Sequence, residues 1–65
     1  MLSEKEVEQI NNKLLEINWT RKELANHIGM SKSYTRVIMI LNRKSEGKSI
    51  EWKLRRFINE EIIIK

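Results

Sequence analysis

Nothing in these 65 residues breaks a helix from within: there is no proline, and glycine occurs only at 29 and 47. A chain of this kind stops a helix where a cap or a turn residue tells it to, and the apolar residues between those stops reveal which face is buried. Glu, Lys, Leu, Ile and Arg dominate the composition, all of them tolerated or favoured in helices. The expected fold is all-α, in one domain spanning residues 1–65. A domain this short hides only roughly 60% of the surface its unfolded chain exposes. With no cysteine to staple it, a partner subunit would help it.

The caps divide the chain. Ser3 followed by Glu6 reads as a capping box, and Val7, Ile10, Leu14 and Ile17 then recur at spacings of three and four. Leu15 lies off that stripe, and Asn18-Trp19 ends the first helix. Thr20 with Glu23 forms a second capping box, Leu24, Ala25 and Ile28 make an inner face, and Gly29 closes the helix. Ser31 is placed to cap a third helix over about Lys32 to Leu41. On its projection Tyr34, Thr35, Ile38 and Leu41 share one side. Lys32, Ser33 and Arg36 share the other, with Val37 at its edge. Residues 42–48 are a polar loop. Ser49 is expected to cap a fourth helix, about 49–63, with Ile50, Leu54, Phe57 and Ile58 inward. There is no internal repeat, linker or low-complexity segment.

The net charge of +4 is unevenly spread. Lys5 and Lys13 against four glutamates leave residues 1–19 at −2, whereas six cations against Glu23 alone put residues 20–44 at +5. The last third carries +1. Positive charge therefore gathers where the two short helices meet, as a polyanion site requires.

Enzyme chemistry finds few materials. There is no cysteine, no aspartate and one histidine, His27. Glu23 one turn before it would supply a second metal ligand, but zinc needs three or four. The serines have no activating base beside them. No catalytic residue, metal or cofactor is expected, and His27 reads as a surface residue. The acidic Glu4, Glu6 and Glu8 do not suit a signal peptide, and the longest apolar run, Val37 to Leu41, is too short to cross a bilayer. A cytoplasmic protein is expected.

Residues 20–39 meet several requirements of a two-helix DNA reader. Ala25 is small where the helices cross, and Gly29 permits the turn. Leu24, Ile28, Met30 and Ile38 offer apolar contacts, and Lys32, Ser33 and Arg36 offer outward donors. Thr20-Arg-Lys-Glu-Leu-Ala25 and Ile28-Gly-Met-Ser-Lys-Ser-Tyr34 resemble the helix-turn-helix of the phage Cro and lambda-repressor-like family, and the likeness covers roughly residues 5–58. The resemblance implies a small domain of four to five helices that binds double-stranded DNA. It implies that Lys32, Ser33, Arg36 and Val37 read base edges, and that Arg21 and the Thr20 and Ser31 hydroxyls meet phosphates. Arg43 and Lys44, in the following loop, are expected to hold phosphate irrespective of sequence. Thr35 stands where the family has a larger aliphatic residue, and Met39, Ile40 and Leu41 are apolar where it turns polar, often with a glycine. Trp19 and Tyr34 read as packing residues.

The fourth helix carries a second face of Trp52, Arg56, Asn59 and Ile63, and the chain runs on through Ile62-Ile63-Ile64. A homodimer is expected there, with Trp52 and Ile62 or Ile63 as anchors and Arg56 over Trp52. The competing expectation is a tail folded back on its own core. Two functional readings result. One is a sequence-specific transcriptional regulator, a repressor of phage or mobile-element type acting as a dimer on an operator. The other is a small interaction module, an adaptor or antirepressor, that binds another regulator.

Overall fold

A computed structural model describes residues 1–62. Within them the chain forms α1 (Glu4–Ile17), α2 (Arg21–His27), a 3-10 turn (Ser31–Ser33), α3 (Tyr34–Leu41) and α4 (Lys48–Asn59). The all-α expectation is met. None of these helices is long and apolar enough to cross a membrane. α1 lies against α4, and α2 lies against the 3-10 turn and α3.

Both capping boxes form. The Ser3 hydroxyl accepts from the Glu6 N–H while the Glu6 carboxylate accepts from the Ser3 N–H, at 3.1 and 3.0 Å. Thr20 and Glu23 repeat the exchange at 3.2 and 3.1 Å. Each box satisfies two amides that a helix start leaves bare.

Three helices end in one way. Asn18, Gly29 and Arg43 all take positive φ, 58°, 78° and 59°. In each case the next residue donates its N–H back five positions: Trp19 to Leu14, Met30 to Ala25, Lys44 to Met39. This left-handed stop satisfies carbonyls at the helix end. Glycine adopts it freely and asparagine tolerates it, whereas for arginine it is strained. Only the turn at Gly29 was legible as such in the sequence.

The core draws on every helix. Ile10, Leu14 and Ile17 come from α1, Leu24 and Ala25 from α2, Val37, Ile40 and Leu41 from α3, and Ile50, Leu54 and Phe57 from α4. Leu2 joins them from ahead of α1, while Leu15 stays in solvent. Trp19 packs as expected, stacked on Phe57 with ring centroids 6.1 Å apart.

Three boundaries differ from the sequence expectation. Ser31 does not cap a helix: the chain leaves Gly29 through a 3-10 turn, closed by the Ser33 N–H on the Met30 carbonyl, and α3 starts only at Tyr34 without a side-chain cap. Ser49 does not cap α4. Gly47 holds that position, and its N–H donates to the Glu51 carboxylate at 2.8 Å. The fourth helix stops at Asn59, well before residue 63, and Glu60 is extended. There the Lys13 ammonium, reaching over from α1, donates to the carbonyls of Phe57 and Glu60. A cation at a helix C-terminus offsets its partial negative charge.

Candidate functional site

The 3-10 turn alters which way α3 faces. Val37, Ile40 and Leu41 occupy the inner side by the i, i+3, i+4 rule, and Thr35, Arg36 and Met39 are exposed. Ile38, expected inside, is only half-buried, and Tyr34, expected at the core edge, is 37% exposed. The segment is apolar all round from 37 to 41, so hydrophobic pattern alone admits either phase. The phase adopted is the one that buries Val37, Ile40 and Leu41.

The residues expected to read bases are therefore divided. Lys32 stands exposed on the 3-10 turn and Ser33 is half-buried there. Arg36 is exposed on the flank of α3 that faces the start of α4. Its guanidinium lies beside Gly47, where a Cβ would come 3.4 Å from Nη2 and 3.1 Å from the Ile40 Cδ1. Val37 is wholly buried. It cannot touch a ligand, so the expectation for it is corrected: it is a core residue.

The phosphate candidates also divide. Arg21 is exposed, with only a long 3.5 Å contact to the Asn11 side chain. Ser31 and Lys44 are exposed. The Thr20 hydroxyl accepts the cap hydrogen bond from Glu23 and keeps its own proton to donate. Arg43 is otherwise occupied. Its Nε donates to the Leu2 carbonyl at 3.1 Å and its Nη1 pairs with Glu4 at 3.1 Å, so it ties the α3–α4 loop to the start of α1.

Ion pairing engages only part of the charge. Arg55 bridges to Glu6 at 2.7 Å and to Glu51 at 3.6 Å. The hydrogen bond from Arg55, followed by the Ser3 amide, holds the Glu6 carboxyl far below its ordinary 4.5, at about 2. Glu51 is buried yet charged. The Gly47 amide and the Met1 amino group, 2.9 Å away, lower its pKa. In contrast Arg21, Lys22, Lys32, Arg36 and Lys44 have no acidic partner among the described residues. All five are exposed.

His27 is not the plain surface residue expected. Its Nε2 lies 2.7 Å from the Glu60 carboxylate, and its ring meets Trp19 edge-on at 5.1 Å. The sequence separation of 33 residues hid this pairing. Among the described residues no three His, Cys, Asp or Glu side chains come together as a metal site would need.

On the outer face of α4 Trp52 is 58% exposed, and the Arg56 guanidinium sits 5.0 Å from its ring centroid. Ile62, expected as a dimer anchor, packs half-buried against the core of its own chain. For that residue the folded-back tail is the outcome. Ile63 lies outside the described residues. No protein-family model, curated protein or solved structure matches the chain.

Proposed function

We propose that this chain binds double-stranded DNA through α2, the Gly29 turn and α3, used as a helix-turn-helix of the Cro and lambda-repressor-like kind. It would regulate transcription in a bacterial cytoplasm, as a repressor that covers an operator. One observation supports this above the others. Six of the cations fall between residues 21 and 44, all exposed, and among them only Arg43 has an acidic partner within the described residues. Surface cations concentrated in one short stretch of chain, with a single acid among them, suit a phosphate backbone. Lys32 and Arg36 border the exposed side of α3, and Arg21, Lys44, Thr20 and Ser31 are the phosphate contacts. A dimer through the Trp52–Arg56 face would offer two such units to half-sites about 34 Å apart.

Fluorescence anisotropy with random duplex tests the reading. Binding at 50 mM salt should weaken steeply by 200 mM, by about 0.9 in log K per log salt for each phosphate neutralised. Lys32→Ala and Arg36→Ala should each weaken it while leaving the thermal melt unchanged. No binding at 50 mM salt with protein in the high micromolar range would remove the proposal.

The second reading, an interaction module, draws on the exposed apolar side chains Leu15 at 81%, Trp52 at 58% and Met39 at 42%. It predicts capture of a protein partner and indifference to duplex.

A further inference from the structure

The side of α3 that faces solvent is not cationic at its centre. With Val37, Ile40 and Leu41 buried, the direction away from the core runs between Thr35 and Met39, four residues apart and so stacked one above the other. Met39 is 42% exposed, and Thr35 is exposed beside it. Half-buried Ile38 adjoins them. Arg36 lies to one side, its guanidinium beside Gly47, and Lys32 precedes the helix on the 3-10 turn. A helix entering a major groove meets base edges with its outermost side chains. Here those are a threonine, with a methyl group beside its hydroxyl, and a methionine ending in a methyl thioether, flanked by cations suited to phosphates.

Neither a methionine nor a single threonine hydroxyl can make the paired hydrogen bonds that select guanine or adenine. The one apolar feature on a base edge in the major groove is the C5-methyl of thymine. Resting on the DNA-binding reading, we propose that α3 reads thymine methyl groups through Thr35 and Met39, while Lys32 and Arg36 hold the phosphates on either side. Met39 adapts its shape easily and suits such a contact. The phosphate-to-base division differs from the one expected from sequence: the cations position, and the methyl-bearing side chains specify.

The test starts from the duplex this protein selects from a random pool. Each thymine is replaced singly by uracil, which removes the methyl group and nothing else from the groove. One or two positions per half-site should lose about fourfold in affinity, the value of one buried methyl. At such a position a 5-methylcytosine·guanine pair should bind better than plain cytosine·guanine. Met39→Ala should erase the uracil penalty at one position and lower affinity for the selected duplex by about the same fourfold. Its exposed site keeps the fold intact, checked by circular dichroism. Tight selected binding with no uracil penalty anywhere overturns this inference and leaves DNA binding standing. Failure to bind any duplex at low salt overturns both.

Discussion

The two halves of the molecule use charge in opposite ways. Across α1 and α4 several ionic groups are tied down: Glu6 with Arg55, Glu51 with Arg55 and the Met1 amino group, Lys13 with the end of α4, while Lys5, Lys48 and Arg56 stand exposed with no acidic partner among the described residues. Between α2 and α3 the cations face solvent. The first half is a clamp that holds the second half in place, and the second half keeps its charge for something else. A basic composition alone would not separate these roles. Pairing sets Arg43 and Arg55 apart from the other cations, because a cation bound to a carboxylate must break that contact before it can meet a phosphate.

The heaviest blow to the clamp is Phe57→Ala. Phe57 is wholly buried, stacked under Trp19, met edge-on by His27 at 6.1 Å and covered by the Lys13 ammonium 4.6 Å above its ring. Truncation of a buried phenylalanine costs about 3–5 kcal/mol. That is comparable to the whole stability of a domain of this size. Loss of the cooperative melt by circular dichroism is the expected result. A variant that still melted cooperatively within a few degrees of the parent would show that α2 and α3 stand without α4.

A smaller change isolates the ionic part of the clamp. Glu6→Gln keeps an acceptor for the Ser3 amide, since glutamine also serves in a capping box, and removes the charge facing Arg55. Arg55 is 45% exposed, so the cost is about 1 kcal/mol or less. The pH dependence carries the signature. The folded state lowers the Glu6 pKa from 4.5 to about 2. Its contribution is therefore complete above pH 4.5 and lost as the pH falls toward 2. The parent should lose stability through that window, and the variant should lose less of it. Glu51, whose pKa is also lowered, keeps part of the slope. Parallel acid limbs for parent and variant in urea titrations would show that the Glu6–Arg55 contact is inert.

Much of the clamp was legible in the sequence, and less of the candidate site. Ser3–Glu6 and Thr20–Glu23 announced two helix starts because a capping box is local and chemical. The stripes Ile10-Leu14-Ile17 and Ile50-Leu54-Phe57 announced their faces because polar residues separate them. At Val37 to Leu41 no polar residue breaks the run, and the side read as inward, with Thr35 and Ile38, is not the one that packs. Val37 moved into the core for that reason. The Arg43 contacts were hidden for another reason: its partners Leu2 and Glu4 are about forty residues away in the chain, and no periodicity reports such a contact.

Arg43 joins the two halves and gives the finest test of their separation. It ends α3 in the left-handed conformation, at φ 59°, a strain of about 1–2 kcal/mol for a residue with a Cβ. Against this stand its hydrogen bond to the Leu2 carbonyl and its pair with Glu4, which is 89% exposed and so contributes little. Arg43→Gly removes the strain and the contacts together. The two effects should nearly cancel, to within about 0.5 kcal/mol in urea denaturation. Arg43→Ala removes the contacts and keeps the strain, and should be less stable than the glycine variant by about 1 kcal/mol. Because α1 already holds the guanidinium, Arg43→Gly should leave duplex affinity almost unchanged, unlike Arg36→Ala. A loss of binding as large as that of Arg36→Ala would mean that Arg43 leaves Glu4 for phosphate, and the boundary between clamp and interface would then run through this residue.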